Sequence, residues 1–155
     1  MIDNYVFSSG QALGTLNSTG VISSNIWDLE EDAVTDGQIV GWFNFLIRST
    51  TNTAGGDGLW IEIRTEDETN LDWDSATAGR IGTGTDQHCL GALLIRGNEI
   101  AAGAAFAIGV CKADLGKYLG IWYRAANAAL DGATAIDAYF SINYEGLPVT
   151  QKKPS

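Results

Sequence analysis

His88, Cys89 and Cys111 are the side chains best suited to nucleophilic chemistry, and their arrangement speaks against it. A thiol becomes a strong nucleophile when an imidazole takes its proton and a third group orients that imidazole. His88 and Cys89 are neighbours, so on a strand they point to opposite sides of the sheet. Cys111 would have to approach from another element. A single histidine also excludes a metal cage built on histidines. The carboxylates are more numerous but poorly spaced. Asp67, Glu68, Asp72 and Asp74 can gather around calcium, yet they lack the D-x-[DN]-x-[DN]-G frame of a dedicated loop. The run Glu30, Glu31, Asp32 reads as a solvated loop. Glu62 and Glu66 share one strand face, and a rise of ~3.3 Å per residue puts their Cα atoms about 13 Å apart, too far for either arrangement of a glycosidase pair. No nucleophile elbow, phosphate loop or dinucleotide fingerprint occurs. The expectation is a protein that is not an enzyme and uses no cofactor and no metal.

Other side chains are better placed to bind than to react. Trp73 stands between Asp72 and Asp74, where an exposed indole can stack on a sugar ring or anchor a protein partner; the plainer alternative is that it folds back onto the core. Tyr5 and Phe7 are isolated aromatics in a polar opening segment. They either reach a partner or plug the edge of the domain's own core. Lys152 and Lys153 form the only basic cluster, near the end of a tail that contains both prolines.

The elements that would hold these residues read as strands. Ile39–Arg48 places Ile39, Phe43, Phe45 and Ile47 on one face, and Leu59–Glu66 places Leu59, Ile61 and Ile63 opposite Trp60, Glu62, Arg64 and Glu66. The polar, glycine-rich stretch between them suits a connection between antiparallel partners. Further strands are expected at Val21–Leu29, from Cys89 to about Gly97, at Ile100–Cys111, at Tyr118–Ala126 and at Ala135–Tyr144. Alanine content alone would allow a helix over Ile100–Cys111, but its glycines and two-residue period favour a strand. Asp131-Gly132 is a tight-turn dipeptide, so the last two strands are expected to pair. The long polar stretch Asp67–Asp86 reads as a functional or mobile loop.

The 155 residues fit one domain, able to bury about 68–70% of its unfolded surface. With 45% hydrophobic residues and 19 glycines, short strands and tight turns are favoured over helix. Nineteen acidic against nine basic side chains give a net charge of −10, which repels phosphate backbones and disfavours direct binding to nucleic acid. Two cysteines are too few for a disulfide framework and are expected to be free thiols. No stretch approaches the ~18 apolar residues of a membrane span, and Met1–Gly10 lacks the basic start and apolar run of a signal peptide. The expectation is a soluble protein made in the cytoplasm, with no membrane partner. Its fold class is all-β, an antiparallel jelly-roll-like β-sandwich, with an N-terminal arm over 1–20, the sandwich over 21–146 and a C-terminal tail over 147–155.

The order of features resembles a family of small jelly-roll cementing, or decoration, proteins that coat the capsids of tailed bacteriophages. The likeness rests on Met1-Ile2-Asp3, on Phe7-Ser8-Ser9-Gly10-Gln11-Ala12, on the Ser/Thr-rich spacer Thr15–Thr19 and on Ile26-Trp27-Asp28-Leu29, with the alternating strand Ala135–Tyr144 also fitting. It covers about a third of the chain. The acidic loop Asp67–Asp86 is longer than the family pattern, and Trp27 stands where a smaller residue is expected. The resemblance implies a protein on the outer surface of the virion, assembled in the host cytoplasm. It would bridge neighbouring major capsid protein subunits and associate with itself, as a homodimer or a trimer. Arm and tail would reach over the shell, so removing Met1–Gly14 is expected to weaken shell binding and spare the fold. The alternative function is a carbohydrate-binding module, in which Trp73→Ala would abolish glycan binding.

Overall fold

Period-two alternation in Leu59–Glu66 becomes a strand whose Leu59, Ile61 and Ile63 are fully buried, and the same holds for Phe43, Phe45 and Ile47 of the preceding strand. The computed structural model describes residues 4–13, 16, 20–29, 39–51, 58–66, 88–112, 118–126 and 134–141. They form nine strands: β1 Asn4–Ala12, β2 Val21–Ile22, β3 Trp27–Asp28, β4 Ile39–Thr50, β5 Gly58–Glu66, β6 His88–Arg96, β7 Ala105–Lys112, β8 Tyr118–Ala125 and β9 Thr134–Ser141. A single 3-10 turn, Gly97–Glu99, separates β6 from β7. Of the segment expected as a strand, Ala105–Cys111 is one, whereas residues 100–104 lead into it through a turn with Gly103 at φ 86°.

Two antiparallel sheets pack face to face as an all-β sandwich. Sheet A has the order β1-β9-β4-β7, and sheet B the order β2-β8-β5-β6, with β3 also on β8. The pairs are nested: β1 with β9, β2 and β3 with β8, β4 with β7, β5 with β6. This winding corrects two expectations. Ile39–Arg48 and Leu59–Glu66 are not partners, because β4 pairs with β7 and β9 while β5 pairs with β6 and β8 in the other sheet. Nor do the last two strands pair, since β8 lies in sheet B and β9 in sheet A. A short polar linker can turn a hairpin or cross from one layer to the other, and composition does not distinguish these outcomes. Val21–Leu29 is likewise two short bridges, not one strand.

The opening segment is a third correction. Residues 4–12, expected to lie in an arm, are the edge strand of sheet A, and Phe7, Leu13 and Leu16 are core residues. Tyr5 stacks on Trp27 with ring centroids 4.9 Å apart, and Phe7 meets Phe43 at 5.6 Å. Phe43 and Phe140 lie 5.2 Å apart and close this end of the core. The segment after β1 is fastened to it: the Tyr5 hydroxyl donates to the Ile26 carbonyl (2.8 Å), and the Asn25 N–H to that of Phe7 (2.9 Å). Gly41 admits the Phe140 ring so closely that a Cβ there would collide with it and with the Ser141 carbonyl.

Tyr123, on β8, carries a phenol into this core and meets the Ser8 hydroxyl at 2.9 Å. Burial pushes its pKa well above the ordinary phenol value; the Ser8 hydrogen bond pulls it down, and the Asp137 charge adds a further rise. The folded chain therefore holds this proton after the unfolded chain has lost it, so stability is full below the unfolded pKa of about 10 and falls as pH rises beyond it. Melting temperatures from pH 8 upward should fall more steeply for the wild type than for Tyr123→Phe, whose core has no such proton to lose. Equal slopes would disprove the coupling.

Candidate interaction surface

Each sheet turns one face to the core and one outward, and the two outward faces differ in chemistry. On sheet B the outward positions of β5 and β8 include Trp60, Glu62, Arg64, Trp122 and Arg124. Glu62 and Arg64 are only 1% exposed. Glu62 lies between two guanidinium groups: Arg124 Nε donates to Oε1 at 2.9 Å, and Arg64 Nε to Oε2 at 3.1 Å, with Arg64 Nη2 also on Oε2. Arg64 lies over the Trp122 ring at 4.6 Å and Arg124 over the Trp60 ring at 5.2 Å. Both guanidinium groups share the one carboxylate, and each lies over an aromatic face. This layer is closed.

Sequence reading placed Glu62 and Arg64 on the second face of β5 but did not anticipate that this face is buried. The available signal was the alternation of tryptophan with charge, Trp60, Glu62 and Arg64 on β5 and Trp122 and Arg124 on β8, which lets a carboxylate meet guanidinium groups across the strands. Glu62 is held by two arginines and is not an acid poised for catalysis.

Sheet A is exposed at its margins, while Asn44 and Ser141 in its central rows are 2% and 1% exposed. Its outward residues fall in cross-strand rows set by the register: Val40 beside Cys111, Trp42 between Ser141 and Gly109, Asn44 between Tyr139 and Ala107, and Leu46 between Asp137 and Ala105. Val6 of β1 adds to the Tyr139 row. Val40 is 54% exposed and Val6 47%. Trp42 lies flat across Gly109, where a Cβ would stand 3.0 Å from the indole. Among the described residues of this face Arg48 pairs with Asp137 at 2.9 Å, toward one end, and the pair contributes no net charge. Asp137 also accepts the Gly10 N–H at 2.6 Å.

Of the residues singled out from sequence, the described pair Tyr5 and Phe7 come together in the core, with ring centroids 5.0 Å apart. Phe7 is inaccessible, and Tyr5 is half-buried against Trp27, so neither belongs to a reaching arm; both serve the core. Trp73, Lys152 and Lys153 lie outside the described residues, as do the acidic loops. His88 is on β6 of sheet B, whereas Cys111 is a free, exposed thiol on the outward face of sheet A, so the two occupy different layers. Among the described residues no three His, Cys, Asp or Glu side chains cluster as a metal site. No described helix is long and apolar enough to cross a membrane.

No protein-family model matches the chain, and no curated protein is similar to it in sequence.

Proposed function

We propose that this protein decorates the outside of a tailed-phage capsid, binding the assembled shell and bridging neighbouring major capsid subunits, with no reaction to perform. The observation that carries the reading is the contrast between the two outer faces. One buries an ion network at its centre, and the other presents Val6 and Val40 at its margins beside small residues with little charge, on a chain of net charge −10. Such a face can dock by burying apolar area, while the acidic remainder keeps the protein apart from packaged DNA.

The winding supports the same reading. Counting β2 and β3 as one interrupted strand, the nested pairs are those of a long hairpin bent at β5–β6 and rolled into two sheets, which we read as a jelly roll. That fold and the opening motif from Phe7 to Ala12 are what the resemblance to decoration proteins would require. A homo-oligomer on the outer surface of the virion, in contact with the major capsid protein, is the corresponding arrangement. Stabilisation would follow by mass action: free chain at a hundredfold its dissociation constant stabilises each occupied site by about 2.7 kcal/mol.

The test is co-sedimentation with assembled, undecorated shells. Wild-type chain should pellet with the shells and raise their melting temperature. Val40→Asp should lower retention by about tenfold, the equivalent of about 1.4 kcal/mol, while leaving the chain's own melting temperature unchanged because position 40 is solvent-facing. Shells that neither retain nor gain stability from the chain would end the proposal.

A further inference from the structure

Among the described residues each sheet ends in two edges, and all but one of these are blunted. β1 is interrupted by register shifts between Val6 and Ser8 and between Ser8 and Gln11, with Gly10 at φ 58°, and its rim is covered by the segment carrying Asn25 and Ile26. β2 and β3 are two residues each. β6 is shifted in register against β5 and ends on the exposed Arg96. These are the usual devices by which sheets avoid adding strands. β7 has none of them.

β7 pairs with β4 over eight consecutive residues without a shift, and from Ala105 to Cys111 it contains no proline and no charge. Among the described residues it is the last strand of sheet A, and no residue from 105 to 111 hydrogen-bonds to a described residue outside the ladder to β4. Every second residue therefore turns its N–H and C=O outward from the sheet. The side chains are also incompletely covered. Phe106 and Ile108 face the core but are only half-buried, whereas their partners Phe45 and Phe43 on β4 are 2% and 0% exposed. A strand added here must bring large apolar residues to the core side and small ones to the outer side.

We propose that the added strand is β7 of a second copy, paired antiparallel about a two-fold axis through Ile108. That register sets Phe106 opposite the partner subunit's Val110, and Ile108 opposite the partner subunit's Ile108, on the core side. Outside, Ala107 meets the partner subunit's Gly109 and Ala105 the partner subunit's Cys111. Large residues meet large and small meet small, which an isologous contact requires of one self-complementary strand. The uncharged seam also lets two chains of charge −10 approach without aligning acidic side chains. Two four-stranded sheets become one of eight strands, with the Val40 faces side by side. The pairing needs no capsid, so it stands or fails apart from the shell proposal.

Sedimentation of the full chain tests it. Wild type should be a dimer at micromolar concentration, twice the 16.5 kDa chain mass. Ala107→Glu, on the outward face, should weaken the dimer at least about tenfold by setting like charges across the axis, with circular dichroism and melting of the monomer unchanged. The register has its own readout. In a Cys89→Ser background, Ala105→Cys should oxidise to a disulfide-linked dimer, because positions 105 and 111 face each other across the seam. Within one chain they are six residues, about 20 Å, apart and cannot bridge. Cys89→Ser alone should give no linked dimer. A wild type monomeric at micromolar concentration, a dimer that Ala107→Glu leaves intact, or a failure of Ala105→Cys to link would overturn the proposal.

Discussion

Replacing Glu62 with alanine is expected to destabilise the protein by about 3–5 kcal/mol, the cost of removing one member of a buried ion network and leaving the others uncompensated. Glu62 is 1% exposed and is the carboxylate to which both Arg64 and Arg124 donate. Water cannot replace it without opening the layer that covers β5 and β8. For a domain of this size each kcal/mol moves the melting temperature by about 2–4 °C, so a fall of about 6–20 °C should appear in a thermal scan. Urea unfolding of Glu62→Ala and of Glu62→Gln would separate the charge from the volume. Gln keeps hydrogen-bond acceptance but loses the charge, and should fall between wild type and Ala. Changing all three charged residues to apolar ones of similar volume should cost much less than Glu62→Ala, because an ion network repays its own desolvation only in part. A loss under about 1 kcal/mol for Glu62→Ala would mean that the guanidinium groups reach solvent, as at an exposed pair.

Phe7→Ala should cost about 3–5 kcal/mol, as expected when a fully buried aromatic ring is cut back and its cavity only partly refills. Its ring touches Tyr5 and Phe43 and lies edge-on to Trp27, so the loss reaches both sheets. Removing residues 1–14 is more severe. It strips the partner of β9, uncovers Phe43 and Phe140, and deletes the Ser8 hydroxyl beside Tyr123. Small domains are stable by only about 5–15 kcal/mol in total, so this truncation should abolish the cooperative unfolding transition. The expectation formed from sequence, that the deletion spares the fold, is therefore reversed. A truncated chain that still melts cooperatively near the wild-type temperature would show that β1 is dispensable. For shell binding, point changes such as Val40→Asp are the cleaner probe because they leave the core intact.

The reversal has an identifiable source. Tyr5 and Phe7 do alternate, but the register shifts after Val6 and after Ser8, together with the left-handed Gly10, break the period within a few residues. A strand with bulges reads as irregular sequence. Trp27, which looked oversized for its position, is 3% exposed and stacked on Tyr5, so the unexpected size is matched by a ring from the same opening segment. Neither residue announces the other in the linear chain.

What the sequence determined by itself was the local conformation and inward face of the regular strands. Leu59, Ile61 and Ile63 point to the core because a pleated strand with that alternation has only one favourable way to face, and the two-residue period of Phe106, Ile108 and Val110 marks β7 as extended despite its alanines. Which strand lies beside which was decided only in three dimensions. β4 and β5 are separated by a hairpin-like linker and end in opposite sheets, because pairing between strands far apart in sequence and packing between the layers outweigh the local turn. The buried ion network and the unguarded β7 edge are properties of that assembly. Alternation says which way a side chain points from its own strand, whereas burial, partners and edges depend on strands that sequence distance does not order.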